Sequence, residues 1–251
     1  MSGRVGSITT DIIADGLVFN MDAANRASYI PDATTSFNTI NLSESGSLEN
    51  GTAFLQPPVS ASCWDFDGID DNINTNLTFN GSTNCAISLW INPTNVNARD
   101  QIYKSIGGTN NFAASFWNGS GGYLYVYIGG EYGVYSNLTA HVFGGDPSPG
   151  WVNLTIVYDG NFTDSDLATQ NAGRLKVYWD GVYVPFNVSF PDTIPSSIPT
   201  TSTGMYLSNT IYEYDGQISC VQAYNRALSA SEVLHNYNAL KGRFGLWNTG
   251  Q

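Results

Sequence analysis

Charge is scarce in this chain. Asp, Glu, Lys and Arg make up 12% of its 251 residues, about half the ~25% usual for a soluble domain. The scarcity is one-sided, with 9 Lys and Arg against 21 Asp and Glu, a net charge of -12. Without a basic stripe there is nothing to follow a nucleic-acid backbone or to hold the chain to an anionic membrane, so both partners are excluded. His141 and His235 are the only histidines. Neither belongs to a Ser-His-Asp order or a His-x-x-x-His string, so both read as surface or packing residues. Cys63, Cys85 and Cys220 are scattered and lack the close pairs of a zinc site. Their strand-like contexts point to buried free thiols, the alternative being one disulfide with a cysteine left over. No apolar run reaches bilayer-spanning length, and Met1 to Ser7 has no apolar signal-peptide core.

Hydrophobic residues make up 42% and aromatic residues 13% of the chain, which excludes global disorder and supports a sizeable core. Asn, Ser, Thr, Gly and Tyr take the place of charge, a composition that suits an extracellular or virion surface. Release by lysis reconciles that surface with the missing signal core.

The apolar pattern has mostly period two. Trp64 and Phe66 fall on one side of an extended segment, Asp65 and Asp67 on the other, and Gly68 allows a sharp turn. Residues 85–91 are apolar on both faces, Ile87-Leu89-Ile91 and Ala86-Ser88-Trp90, as expected when a further layer covers the sheet. Residues 122–128 alternate cleanly, with Leu124, Val126 and Ile128 facing one way and Tyr123, Tyr125 and Tyr127 the other. Asp180-Gly181 joins two apolar runs as a tight hairpin. Residues 23–60 are irregular and too long for a plain connection, so they are expected to hold short strands of their own or to pack as a cover. Phe37, Ile40, Leu42, Phe54 and Leu55 are the expected anchors, and 161–173 read as a polar loop. One helix stands out: Ser229 and Glu232 form a capping box, and Val233, Tyr237 and Leu240 follow at helical spacing. Trp64, Trp90 and Trp179 read as core or half-core. The expected fold is all-β, a two-sheet antiparallel jelly-roll sandwich with a short C-terminal helix. Residues 1–14 form an N-terminal arm, 15–246 the domain and 247–251 a tail.

Several motifs together resemble the laminin-G-like (LamG-like), concanavalin A-like jelly-roll domains. They are Phe66-Asp67-Gly68-Ile69-Asp70-Asp71, the strand Ala86 to Pro93, Trp151 to Gly160, Leu175 to Gly181, and Asp215 to Ile218 followed by Tyr224 to Val233. The opening Asp15 to Asn25 and the ending Asn236 to Leu246 are similar to those of structural proteins of tailed phages, especially marine and cyanobacterial ones. The resemblance implies a non-enzymatic virion protein, decorating or attaching at the surface of capsid or tail. Its expected partners are other virion proteins and further copies of itself. The alternative is a carbohydrate-binding adhesion module for host glycans.

Hydrolysis of glycosides needs two carboxylates flanking a bond. No Glu-x-Asp-x-x-Glu string is present, so no catalytic residues are assigned. Laminin-G-like relatives often bind calcium through loop carboxylates. Here Asp67, Asp70 and Asp71 are close in sequence, with Asp22 or Asp215 brought in by the fold, and their oxygens are of the kind calcium takes. The competing reading makes Asp67 and Asp70 turn caps and puts Asp71 on the surface. Asp159, Asp164 and Asp166 are a weaker cation candidate. Tyr123, Tyr125, Tyr127, Tyr132 and Tyr135, with Trp117, form a candidate surface for a glycan or a partner subunit.

Overall fold

The computed structural model describes residues 11–57, 61–94, 100–106, 111–117, 123–135, 150–185, 193–208 and 211–246. The expected arm and tail therefore lie largely outside the described residues, as does His141. The strands are β1 (Leu17–Asp22), β2 (Thr35–Phe37), β3 (Ser45–Glu49), β4 (Ala53–Leu55), β5 (Cys63–Asp67), β6 (Asn72–Thr75), β7 (Asn84–Pro93) and β8 (Asp100–Ile106). They continue as β9 (Phe112–Trp117), β10 (Tyr123–Ile128), β11 (Glu131–Tyr135) and β12 (Val152–Asp159). Helix α1 (Leu167–Arg174) follows, then β13 (Leu175–Trp179), β14 (Val182–Val184), β15 (Gly204–Leu207), β16 (Asp215–Tyr224), helix α2 (Ala230–Leu240) and a 3-10 turn (Lys241–Phe244).

The strands form two antiparallel sheets of eight. Sheet A runs β14-β13-β12-β7-β16-β5-β4, with β1 also paired to β16. Sheet B runs β11-β10-β9-β8-β15-β6-β3-β2. Neighbours in each sheet come from distant parts of the chain, as in a jelly roll. The sheets close on one core that includes Trp64, Phe66, Ile87, Leu89, Ile91, Leu124, Val126 and Ile128, all essentially without solvent contact. Among the described residues no helix is long and apolar enough to cross a membrane.

The second apolar face of β7 has its expected cover. Trp90 packs with Leu240 and Phe244, and Ala86 with Val233 and Leu228, so α2 and the 3-10 turn lie over the outside of sheet A. Ser229 accepts from the Glu232 N–H and Glu232 reaches back to the Ser229 N–H, which satisfies two otherwise orphaned donors at the helix start. Residues 11–13 share this side: the Ile13 N–H donates to Asn236 Oδ1 at 2.8 Å, and Ile12 packs near Phe244. At the β13–β14 hairpin Asp180 and Gly181 have φ of 50° and 78°, the two left-handed positions a two-residue turn needs.

The fold departs from the sequence reading in two places, the apolar anchors and the stretch 161–173, and agrees with it on the cysteines. Phe37, Ile40 and Leu42 are not anchors; they are 43%, 50% and 64% exposed. Phe54 does pack against the core. The polar stretch 161–173 contains most of α1, started by Asp166 accepting from the Thr169 N–H at 2.8 Å. Cys63, Cys85 and Cys220 are buried free thiols, and no disulfide joins them.

Candidate functional site

With sheet A's outer side carrying α2, sheet B's outer side holds the candidate residues. On β10 the core takes Leu124, Val126 and Ile128, so Tyr123, Tyr125 and Tyr127 stand on the opposite face, half-buried. Tyr132 of β11 is the register partner of Tyr127 and joins them. The ring centroids of Tyr125 and Tyr127 are 6.1 Å apart and near parallel; Tyr132 lies 5.6 Å from each. These are contact distances for aromatic rings, so the three form one continuous platform. Trp117 is the register partner of Tyr123. Tyr135 pairs instead with the core residue Leu124, so its backbone position is not that of the platform. The side chains of Trp117 and Tyr135 lie outside the described residues.

Register extends the platform. One transverse row crosses all eight strands: Tyr132, Tyr127, Ala113, Lys104, Tyr206, Asn74, Ser47 and Thr35. Strands are about 4.8 Å apart, so Tyr127 and Asn74 are separated by about 19 Å. Lys104, Tyr206 and Asn74 are half-buried and Ser47 is exposed. Asn74 donates to Glu49 Oε1 at 3.2 Å. Sequence reading did not find Lys104, Tyr206 or Asn74.

At one end of the sandwich, β5 runs into the turn of residues 67–71. Asp67, Asp70 and Asp71 each offer an oxygen within 4.8 Å of the others. Asp67 accepts from the Ile69 N–H at 2.8 Å, and Asp71 accepts from the Asp67 N–H at 3.0 Å. Asp71 is therefore the buried cap, 5% exposed, rather than a surface residue. Asp70 is exposed and contributes its backbone carbonyl, which accepts from Asn50 and Asn72. Burial holds the Asp71 carboxyl above its ordinary range, opposed by the Asp67 hydrogen bond and reinforced by the charges of Asp67, Asp70 and Asp65. Gly68, at φ 71°, leaves no room for a Cβ, which would stand 2.9 Å from the Asp215 Cβ.

Asp215 does come alongside, as the register partner of Asp67. Asp22 does not. It pairs with Cys220, five residues further along β16 and about 17 Å away at the usual strand rise. Its two carboxylate oxygens accept from Arg243. Asp67, Asp70 and Asp71 form an all-oxygen donor set, the type that suits calcium, and would be the residues to hold it. Asp159 and Asp164 cap loop N–H groups, and Asp166 caps α1. Asp100, at the start of β8, is 4% exposed. Burial first, then the charges of Asp215 and Glu213, push its carboxyl up to about 7.

Between β3 of sheet B and β4 of sheet A lies a pocket of about 290 Å³ lined by Tyr29, Asp32, Leu48, Thr52 and Phe54. Tyr29 and Phe54 touch at 4.9 Å, and Tyr29 donates to the Ala33 carbonyl.

The family model described as the concanavalin A-like lectin/glucanases superfamily matches residues 67–234. The chain belongs to that superfamily. The matched span runs from the acid turn to the middle of α2 and so takes in most of both sheets. Solved structures give the same fold at low identity. The botulinum neurotoxin serotype D binding domain superposes with a TM-score of 0.61 at 13% identity, covering 89% of this chain and 52% of that one. The binding domain of botulinum neurotoxin DC in complex with rat synaptotagmin II gives 0.58 at 13%, covering 90% and 52%. Domain 4 of AbnA, a GH43 extracellular arabinanase from Geobacillus stearothermophilus in complex with arabinotriose, gives 0.54 at 17%, covering 88% and 98%. This superfamily member thus spans about half the length of the toxin binding domains and nearly all of the arabinanase domain. No curated protein matches it in sequence.

Proposed function

We propose that this chain is a non-enzymatic binding module that recognises a surface glycan through the outer face of sheet B. The observation that carries the reading is the division of labour between the two sheets. Sheet A places α2 and the 3-10 turn over its outer side, whereas sheet B gives its outer side to contiguous tyrosines and a row of polar groups. Aromatic faces stack on the apolar faces of sugar rings, and amide, hydroxyl and ammonium groups meet the hydroxyls. Solved domains of the same fold that bind, one of them in complex with arabinotriose, support the reading.

The setting we propose is the surface of a tailed-phage virion, with neighbouring virion proteins and further copies of the chain as partners. The openings and endings that resemble phage structural proteins support it, as does a surface poor in charge. Antibody labelling of purified particles tests this setting; an unlabelled particle surface removes it.

The binding test uses a panel of immobilised oligosaccharides with wild-type protein and the Tyr132→Ala and Tyr206→Ala variants. Binding to at least one glycan is expected, weakened by about 1–2 kcal/mol in each variant with folding unchanged. Binding that survives both substitutions places the site elsewhere and overturns the reading.

A further inference from the structure

We infer, building on the glycan-binding reading above, that the ligand is an acidic oligosaccharide lying across the strands, with its carboxylate or sulfate held by Lys104. The transverse row supplies the path. It places an aromatic pair at one end (Tyr132 and Tyr127), a third aromatic at Tyr206, and amide and hydroxyl groups at Asn74 and Ser47. Ala113 sits between Tyr127 and Lys104 and is itself fully buried, so it offers the ligand no contact of its own. The span of about 19 Å from Tyr127 to Asn74 is the length of a short chain of sugars, not of one ring.

Lys104 supplies the charge selectivity. The chain's other described cations are nearly all engaged. Arg174 donates to the Phe162 and Ile194 carbonyls, Arg226 pairs with Asp15 and Glu232, and Arg243 pairs with Asp22. Lys176 donates to the Gly173 carbonyl, and Lys241 lies over the Tyr237 ring. Among the described residues Lys104 has no carboxylate or carbonyl partner, yet it is half-buried between Ala113 and Tyr206. An ammonium in this row, next to Tyr206 in register and partly out of water, gains most from an anionic ligand group. The nearest carboxylate along the row's far end is Glu49, hydrogen-bonded to Asn74, three strands from Lys104. The two charges give the row a direction, with the acidic sugar toward Tyr127 and a neutral, hydroxyl-rich sugar toward Asn74.

The test uses uronate-bearing, sialate-bearing, sulfated and neutral oligosaccharides of matched length, titrated at low and high salt. Wild-type protein is expected to bind its preferred acidic ligand at least tenfold more tightly than the neutral counterpart, with the preference shrinking as salt rises. Lys104→Gln is expected to bring acidic binding down to the level of neutral binding and to remove its salt dependence, while Lys104→Arg retains the preference. Whether carboxylate or sulfate is preferred separates the two sources of charge. Equal acidic and neutral binding in the wild type, or a preference that persists in Lys104→Gln, overturns this inference and leaves the glycan reading standing. Failure of every oligosaccharide to bind overturns both. Thermal unfolding of each variant guards against loss of fold, and the salt dependence of the wild type gives a second measure that needs no variant.

Discussion

Arg243 reaches from the 3-10 turn to Asp22 at the end of β1 and grips both of its carboxylate oxygens, at 2.8 and 2.9 Å. The two side chains are 23% and 18% exposed, so water screens the pair only in part. Residues more than two hundred positions apart are thereby locked across one edge of sheet A. Arg243→Ala leaves Asp22 with a half-buried charge and no fork to hold it. The expected loss is about 2–4 kcal/mol, read from the midpoint of urea unfolding. A double-mutant cycle with Asp22→Asn isolates the pairwise part; a coupling near zero would show that the pair is decorative.

Phe244 lies on Trp90 with centroids 4.1 Å apart and planes 13° from parallel, and touches Trp151 at 4.9 Å. Tyr237 stacks on the same indole at 5.7 Å. Phe244→Ala opens this layer and exposes Trp90, at an expected cost of about 3–4 kcal/mol. Tryptophan emission should shift to the red in the native state. A variant that unfolds at the wild-type midpoint with unchanged emission contradicts the role given to the turn.

Asp100 makes stability fall as pH rises. Its folded pKa, about 7, lies above the ordinary 3.8 of an aspartate. Between those values the folded chain binds a proton that the unfolded chain has released, so folding is favoured at the acid end of the window and weakened toward neutrality. Asp71, Asp180 and Asp215, also raised, add in the same direction. Asp100→Asn removes the main contribution. At pH 8 it should gain about 1–3 kcal/mol over wild type, and near pH 4 almost nothing. Unfolding midpoints of both proteins across that range decide the matter; parallel curves defeat the prediction.

Glu232 works the other way. Arg226, at 2.6 Å, and then the Ser229 N–H hold its carboxyl down at about 2. Its contribution is complete above the unfolded value of 4.5 and is lost as pH falls toward 2. The side chain is 27% exposed and its ion pair is partly screened, so Glu232→Ala should cost about 1 kcal/mol at pH 7 and less in high salt. An effect that is the same at pH 7 and below pH 2 would place its origin outside the carboxylate.

Much of this architecture is local in origin, and that part was legible. The alternation of Trp64 and Phe66 against Asp65 and Asp67 reports a sheet with one face inward, and the two apolar faces of β7 report a third layer outside. The Ser229–Glu232 box marks a helix start within four residues. Burial in irregular segments was not legible: Phe37, Ile40 and Leu42 are apolar, but no period tells which way they point. Helix α1 has a polar composition, and its one signal was the Asp166 cap. The turn-cap reading gave that role to Asp67 and Asp70 and put Asp71 on the surface, whereas the chain uses Asp71 to hold the Asp67 N–H. The row through Lys104, Tyr206 and Asn74 exists only through register between strands more than a hundred residues apart, information that no short window holds.

Residues 11–13 and the 3-10 turn both lie on the outer side of sheet A, the side away from the tyrosines. That gives the domain a mounting polarity. A partner that docks on residues 11–13 or on the 3-10 turn would meet the outer side of sheet A and leave the face of sheet B free for ligand.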